Sequence, residues 1–371
     1  MLYELFHSFL HWDAPANLLR YISFRAAGAA FTAFVLSLLF GPAVLAWLER
    51  HGVKEKVQKT PAELLEPILK GKKNVPTMGG ILLCGTILVS GILWTRFDNN
   101  PYTVAGLGIV LFFGALGLLD DWIKLKEEYH GLRAWVKLLL VTMGSLGVAF
   151  LLYWFAVQDG KLSHLSLLVP FAKNVRIPLV FAGPFFWFLW CWLVLAGSGN
   201  AVNLTDGLDG LAAGLAVFTG LALAVVCYLA GRVDFAPYLY IPYVAGAGEV
   251  AVLLAGLVGA SMGFLWFNCN PAMVFMGDTG SLPLGGLLGY AALVSRHEYV
   301  LLVSGGLFVA EALSVIIQVT SFKLTGKRVF LITPIHHAFQ VKKMPENRIV
   351  VRFWILGAIL SMMALAMLKV R

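Results

Sequence analysis

Long apolar stretches recur along almost the whole chain and constrain what it can fold into. A helix needs about 20 apolar residues to cross the roughly 30 Å hydrocarbon core of a bilayer. Each stretch is predicted to be a helix, because an open strand edge in lipid leaves backbone groups unsatisfied. The candidate spans lie at about 22–48, 78–95, 102–119, 135–157, 179–198, 210–230, 243–265, 282–295, 299–322 and 349–369. The eighth is short and glycine-rich.

The composition supports the same fold class. Hydrophobic residues make up 59% of the 371 residues and charged residues only 13%, whereas soluble domains carry about 25% charged residues. We therefore predict an all-α polytopic membrane protein, with about ten transmembrane helices around a cytoplasmic-side cleft. A single integral membrane domain is predicted over 1–371. The apolar run at 26–48 is too long for a signal peptide and is predicted to be a retained span.

The basic residues predict an orientation in the membrane. The net charge is +8, but Lys and Arg cluster between spans, which favours a topological role over nucleic-acid binding. The connections at 49–77, 120–137 and 323–352 hold 18 of them, against 9 in the opposite connections and both tails. The positive-inside bias makes the richer side cytoplasmic and both termini external. The four scattered cysteines are interpreted as buried apolar residues, not as metal or disulfide partners.

Five polar segments share the predicted cytoplasmic side, although they are remote in sequence. Ionisable groups at membrane depth are costly unless they are paired or functional, and five such segments on one face indicate one shared site. They are 76–80, 120–121, 200–210, 268–281 and 336–337.

Asp120 and Asp121 are predicted to end the third span, with Lys124 one turn further on. They are either solvated charges at a helix end or part of a cation site. Two carboxylates about 4 Å apart repel by roughly 4 kcal/mol at an effective dielectric near 20. Lys124 is expected to neutralise only one of them, so a divalent cation or another cationic partner would relieve the remainder.

Asn203, Asp206 and Asp209 recur every third residue, so a helical turn would place them on one broad face. Individually, either acid could cap a helix. The three groups together favour a polar site.

Asp278 lies between Gly277 and Gly280 at the predicted start of a span. The free N–H groups of a helix start favour phosphate oxygens. A carboxylate there could instead bind Mg²⁺, which prefers carboxylates together with substrate phosphates. Magnesium with a diphosphate is compatible with both features.

Two further basic segments are candidates for anion contacts. His336 and His337 follow Pro334-Ile335 in a basic connection, which favours a phosphate or nucleotide contact over a structural role. Lys70, Lys72 and Lys73 precede Thr77. Interfacial lysines often only snorkel to the membrane surface, but beside several acids they could hold an anionic substrate.

These segments together resemble the polyprenyl-phosphate N-acetylhexosamine-phosphate transferase superfamily. PTMGG, DDxxK, NAVNLTDGLDG, NPAxxFMGDTGS and LTGKRVF…PIHH occur in the superfamily's order across essentially the whole chain. NAVNLTDGLDG combined with FMGDTGS is the specific part of the signature. Where relatives usually carry a third consecutive histidine, this chain has Ala338.

Within the superfamily, the likeness is greatest to the branch that acts on a muramoyl pentapeptide. It implies transfer of phospho-MurNAc-pentapeptide from UDP-MurNAc-pentapeptide to undecaprenyl phosphate, which gives lipid I and UMP in peptidoglycan synthesis. It also implies a homodimer in the bacterial inner membrane.

The resemblance implies a role for each matching position in this sequence. Asp278 and Asn203 would be Mg²⁺ ligands, and Asp120, Asp121 and Asp278 would be catalytic. The implied substrate-binding residues are Lys72, Thr77, Lys124, Lys137, Asn203, Asp206, Asp209, Asn268, Phe275, Gln318, His336 and His337.

Two alternatives remain open at this stage. A related transferase that uses UDP-N-acetylglucosamine would share most of these motifs. A secondary transporter would carry its charges near the midplane and have paired broken helices in two halves. The acids here gather at one predicted surface instead, which disfavours the transporter.

Overall fold

The fold is described from a computed structural model, over residues 1–5, 17–53, 75–98, 100–126, 131–160, 162, 165–169, 175–180 and 183–369. Within these ranges the chain forms ten helices of fifteen residues or more. They are α1 (Ile22–Arg50), α2 (Gly80–Trp94), α3 (Pro101–Lys126), α4 (Ala134–Gln158), α5 (Phe185–Thr205), α6 (Leu211–Ala230), α7 (Ala247–Asn268), α8 (Asp278–Ser295), α9 (Gly306–Thr325) and α10 (Glu346–Ala366).

The predicted all-α polytopic class is confirmed. Over the described ranges, eight of these helices are long and apolar enough to cross a membrane, and α2 is a shorter apolar helix. The protein is therefore a multi-pass membrane protein. Shorter helices occur at Leu2–Glu4, Phe235–Tyr238, Glu298–Ser304 and Ile335–Val341, and a 3₁₀ turn follows α10 at Met367–Lys369.

Three of the predicted spans had wrong boundaries. Helix α3 does not end at 119 but continues to Lys126, because its acids are paired and need not face lipid. Helix α5 runs from Phe185 to Thr205, later than predicted at both ends. The predicted ninth span is two helices that meet at Gly305, where the first one ends.

A short β-hairpin was not predicted. Strand β1 (Ser166–Leu168) pairs antiparallel with strand β2 (Arg176–Pro178) between α4 and α5. Three-residue strands are too short to show an alternating pattern that separates them from a loop. The cysteine interpretation was right for Cys84, Cys191 and Cys227, whereas Cys269 is exposed.

Helix α8 lies at the centre of the bundle, where all eighteen of its residues are buried. It packs against α2, α3, α5 and α6. The close approach depends on small residues, as is usual between membrane helices. A side chain at Gly80 would overlap the backbone of Gly280, and one at Gly285 would overlap the backbone of Ser198. The start of α8 is thereby fixed relative to its neighbours.

A buried ion pair accounts for the arginine inside the first span. The two terminal nitrogens of Arg25 in α1 lie 2.5 and 2.6 Å from the carboxylate oxygens of Glu249 in α7. Arg25 also donates to the carbonyl of Trp94, and the N–H of Arg96 donates to Glu249. Because a buried charge needs a partner, this cluster joins α1, α2 and α7 structurally.

Candidate active site

Three carboxylates meet at one end of the bundle. Asp120 and Asp121 project from the last turns of α3, and Asp278 is the first residue of α8. One oxygen from each lies within 4.8 Å of the others, and all three residues are at most 8% exposed. Buried like charges at this spacing require cations nearby. Such an oxygen-rich group is suited to a hard divalent cation.

Two lysines stand among these acids. The Lys124 ammonium lies 2.9 Å from Asp120, 3.5 Å from Asp121 and 2.7 Å from Asp278. The Lys137 ammonium, at the start of α4, lies 3.0 Å from Asp120 and also contacts the same Asp278 oxygen as Lys124. Lys124 thus contacts all three carboxylates, although its single positive charge offsets only one of their negative charges. Its chain is long enough to reach all three, because α3 continues through the acids and presents Lys124 above them.

Asp121 is engaged mainly with the backbone of α8. Its Oδ1 accepts the N–H of Asp278 at 3.2 Å, and its Oδ2 accepts the N–H of Thr279 at 2.9 Å and the Thr279 hydroxyl at 2.7 Å. A carboxylate at a helix N-terminus satisfies free N–H groups and interacts favourably with the helix dipole. These two N–H groups are therefore not available to a phosphate, contrary to the sequence-based expectation.

Asp120 is held by a different set of donors. Its Oδ1 accepts the N–H of Leu132 at 2.7 Å, and its Oδ2 contacts Lys124 and Lys137. The segment before α4 is thus attached to the end of α3, and this attachment aims Lys137 at Asp278.

Glycines allow the backbone to approach these acids closely. A side chain at Gly117 would overlap the carbonyl of Asp278, and one at Gly277 would lie 2.6 Å from an Asp121 oxygen. Gly277 also has φ of 72°, a conformation that favours glycine. Asp278 is consequently positioned by backbone packing as well as by side-chain contacts.

The segment 76–80 forms strand-like pairs with the segment just before α8. The N–H of Phe275 donates to the Pro76 carbonyl at 2.8 Å, and the N–H groups of Gly79 and Gly80 donate to the carbonyls of Phe275 and Met276 at 2.8 and 2.9 Å. This pairing brings half-buried Thr77 and Phe275 to the site's edge. Lys70, Lys72 and Lys73 lie outside the described residues.

Asn203, Asp206 and Asp209 do not share one helical face, so that expectation was wrong. Helix α5 ends at Thr205, and Asp206 is its C-terminal cap residue. Asn203 donates its amide to Asp278 Oδ1 at 2.5 Å and to the Ser281 hydroxyl at 2.9 Å. The amide nitrogen, rather than the oxygen, therefore faces Asp278.

Asp209 and Asn268 organise the adjoining loop instead. Asp209 Oδ2 accepts the Asn270 amide at 2.9 Å and the N–H of Ala272 at 3.2 Å. Asn268 accepts the N–H of Gly210 at 3.0 Å and donates to the carbonyl of Val274 at 2.8 Å. Both side chains are buried, so they connect the 206–210 turn to the segment that leads into α8.

The histidine pair lies beside the same turn. His336 is fully buried, and its Nδ1 lies 3.3 Å from Glu311 of α9. A side chain at Gly207 would overlap His336 Nε2. His337 shares a hydrogen bond of 2.8 Å with Gln340. Ala338 lies one residue further along the short helix Ile335–Val341 and is half-buried.

Gln318 of α9 is a structural connector as well. Its Oε1 accepts the N–H groups of Val329 and Phe330 at 3.0 and 2.9 Å. These bonds fold the basic connection back onto α9. Gln318 thereby orients the segment that carries the histidines.

Sequence reasoning missed three partners at this end of the bundle: Thr279, Ser281 and Glu311. Thr279 and Ser281 stand within the FMGDTGS motif and bond Asp121 and Asn203 respectively. The sequence did contain a signal for Glu311, because an acid inside an apolar span needs a buried partner.

Comparisons with known proteins show which proteins the chain resembles. Residues 103–296 match the family described as glycosyl transferase family 4. The phospho-N-acetylmuramoyl-pentapeptide-transferase of Desulfotalea psychrophila is 45% identical over 373 residues, covering 100% of both chains. The enzymes of the same name from Granulibacter bethesdensis and Wolinella succinogenes are 45% identical over 375 residues and 41% identical over 364 residues. They cover 100% and 98% of this chain, and 100% and 99% of their own lengths.

The fold, the acidic site and the family match define the class, a polytopic membrane transferase. Within that class, the chain belongs to the phospho-N-acetylmuramoyl-pentapeptide-transferase family.

Proposed function

We propose that the protein transfers phospho-MurNAc-pentapeptide from UDP-MurNAc-pentapeptide to undecaprenyl phosphate, giving lipid I and UMP. The observation that carries the proposal is the buried group of Asp120, Asp121 and Asp278 with two lysines among them. Phosphoryl transfer depends on positioning and charge neutralisation more than on covalent participation by the protein. The site offers both.

The donor set suits Mg²⁺. Carboxylate oxygens within 4.8 Å of one another are the ligands that this ion takes alongside substrate phosphates. Asp278 would hold the ion, and Asn203 would join it if its amide turned so that the oxygen faced inward. Bound there, Mg²⁺ would neutralise charge on the diphosphate.

The lysines have a complementary role. Lys124 and Lys137 share one oxygen of Asp278, so together they place two positive charges where a diphosphate would approach. Ammonium groups held in a partly buried site stabilise charge that develops on a leaving phosphate. They also offset repulsion among the three acids while the site is empty of substrate.

In the proposed step, a phosphate oxygen of the acceptor lipid attacks the phosphorus next to the sugar. A new P–O bond forms there, and the bond to the UMP portion breaks, so UMP departs with the bridging oxygen and its electron pair. If the acceptor is monoprotonated, Asp120 accepts its proton. Asp121 acts as a positioning residue, since its oxygens are used by the start of α8. A route through an aspartyl phosphate is the less favoured variant.

The remaining predicted residues surround the nucleotide-sugar in this proposal. Direct contacts to it are assigned to Lys72, Thr77, Asp206, Phe275, His336 and His337. The bonds of Asp209, Asn268 and Gln318 support an indirect role, in which they shape the loops that touch the substrate.

We further propose that the site faces the cytoplasm of a bacterial inner membrane, that both termini are external and that the enzyme acts as a homodimer. The lysine and arginine distribution supports this orientation. Glu311 and His336 extend the polar region towards the predicted cytoplasmic loops, where a water-soluble UDP-sugar would arrive.

The test is product formation by the purified full chain with undecaprenyl phosphate, Mg²⁺ and either UDP-MurNAc-pentapeptide or UDP-N-acetylglucosamine. We expect labelled UMP and a lipid-linked sugar from the muramoyl substrate only. Turnover of UDP-N-acetylglucosamine instead would establish the related transferase. Omitting the lipid acceptor tests the two-step route, because UMP exchange without acceptor would support an aspartyl phosphate.

A further inference from the structure

A polar cavity lies at the far end of α8 from the acidic site. The eighteen residues of α8 rise by about 1.5 Å each, which separates the two ends by about 27 Å. The cavity has a volume of about 270 Å³. It is lined by residues of the β-hairpin, of the connection between α6 and α7, and by Arg296, which follows α8.

Two of the three guanidinium nitrogens of buried Arg296 have no hydrogen-bond acceptor among the described residues. The residue is 6% exposed, and within the described part of the chain no acceptor reaches its Nε or Nη1 atom. Its guanidinium carbon lies 5.3 Å from the ring centroid of Trp187, a cation–π contact that satisfies no N–H group. Buried guanidinium N–H groups without acceptors are costly. Because Arg296 also lines the cavity, an anion bound there would stabilise its buried positive charge.

The conformation of Arg296 is also unusual for a non-glycine residue. It caps the C-terminus of α8 with φ of 64°, and glycine normally occupies this position. A helix C-terminus attracts a positive charge, which explains a cation there but leaves the orphaned N–H groups unexplained. The nearby acid, Glu298, accepts a hydrogen bond from Trp190 and forms no ion pair with Arg296 among the described residues.

A second guanidinium lines the same cavity. Arg176 belongs to β2 of the hairpin and is exposed. Two arginines that converge on one cavity are suited to a phosphate, because the planar guanidinium matches its oxygens bidentately. Exposed Tyr240 and Tyr243 lie in the neighbouring connection, and tyrosine is enriched at the level of lipid headgroups.

We propose that this cavity binds a phosphate group between Arg296 and Arg176, remote from the transferase site. The ligand is either the phosphate of an anionic phospholipid headgroup or free inorganic phosphate, which share the recognised chemistry. The proposal is independent of the transferase function, since none of its residues contacts the acidic group.

Binding is measured on the full chain in detergent micelles, by native mass spectrometry during titration with palmitoyl-oleoyl phosphatidylglycerol. Dioleoylglycerol, which lacks a phosphate, is the lipid control. Variants Arg296→Gln and Arg176→Gln each remove one proposed contact. Arg232→Gln is the matched control, because Arg232 is a partly exposed arginine that pairs with Asp234 and does not line the cavity. Inorganic phosphate is added both as competitor and alone, with the thermal unfolding midpoint as readout.

We expect Arg296→Gln and Arg176→Gln to weaken phosphatidylglycerol binding by about tenfold, as loss of a charge-assisted hydrogen bond does. Phosphatidylglycerol binding by Arg232→Gln should be unchanged. The transferase activity of all three variants should also be unchanged. If inorganic phosphate alone raises the unfolding midpoint of the wild type but not of Arg296→Gln, the source is free phosphate. If Arg296→Gln does not fold, Arg176→Gln and Arg296→Lys test the proposal instead. Both should bind phosphatidylglycerol more weakly than the wild type. Wild-type affinity in these variants, or no binding of either probe by the wild type, would overturn the proposal.

Discussion

Asp121 of α3 accepts two hydrogen bonds from Thr279 of α8, one from its backbone N–H at 2.9 Å and one from its hydroxyl at 2.7 Å. The start of α8 is therefore capped by a side chain from another helix. Because Asp278 immediately precedes Thr279, this contact fixes the direction in which the Asp278 carboxylate points. The two adjacent acids of α3 consequently have different tasks, and only Asp120 faces both lysines.

The first prediction concerns this cap. Asp121→Asn replaces one acceptor oxygen with an amide that opposes the N–H of Thr279, so we expect a loss of about 1–3 kcal/mol in stability and a larger loss of turnover. Thr279→Ser keeps the hydroxyl and should behave like the wild type. Thermal unfolding and UMP release measure the two effects. Unchanged values for Asp121→Asn would show that the cap does not position Asp278.

The second prediction concerns the lysines. Lys124→Gln removes a positive charge 2.7 Å from Asp278, so we expect turnover to fall by about a hundredfold, as for loss of one electrostatic stabiliser. The same change should lower the Mg²⁺ concentration needed for half-maximal rate, because the acids lose a competing cation. Rates measured across a Mg²⁺ titration test both effects. The control is Lys126→Gln, because Lys126 lies two residues further along the same helix, over the Trp122 ring. This variant should change neither the turnover nor the Mg²⁺ requirement. A higher Mg²⁺ requirement in Lys124→Gln would contradict the assignment.

The third prediction concerns backbone packing. Gly117→Ala places a methyl group against the carbonyl of Asp278, which must shift. Overpacking of this kind costs about 1–3 kcal/mol, and the displaced carboxylate should reduce activity further. Gly108→Ala on the same helix has open space within 4 Å and should retain stability and activity. UMP release and thermal unfolding compare the pair, and equal behaviour of the two variants would refute the packing argument.

Much of the fold could be predicted from the sequence because each long helix must satisfy its own backbone in lipid. That rule located ten helices and the polar segments between them. It did not predict helix ends correctly where acids are paired with distant residues, as at Asp120 and Asp121. Lys137, for example, is seventeen residues away from Asp120 in the sequence. The hairpin at Ser166–Leu168 and Arg176–Pro178 escaped it because short strands carry no clear periodicity.

The sequence singled out residues that the structure brings together at one end of the bundle, but several of their contacts were not predicted. The motif around Asp278 indicated a metal or phosphate site, yet its helix start is occupied by Asp121. The three-residue spacing from Asn203 to Asp209 suggested one helical face, but α5 ends between them at Thr205. A helix end of this kind depends on tertiary contacts, such as the bonds from Asp209 to the 270–272 segment, which spacing does not reveal.

The most direct measurement is lipid I and UMP formation by Asp278→Ala, beside the wild type and Asp234→Asn. Asp234 is an exposed acid paired with Arg232, away from the acidic site. We expect Asp278→Ala to lose all measurable turnover at every Mg²⁺ concentration while it remains folded by thermal unfolding, and Asp234→Asn to match the wild type. Near-normal product formation by folded Asp278→Ala would contradict the proposal that transfer takes place at this carboxylate.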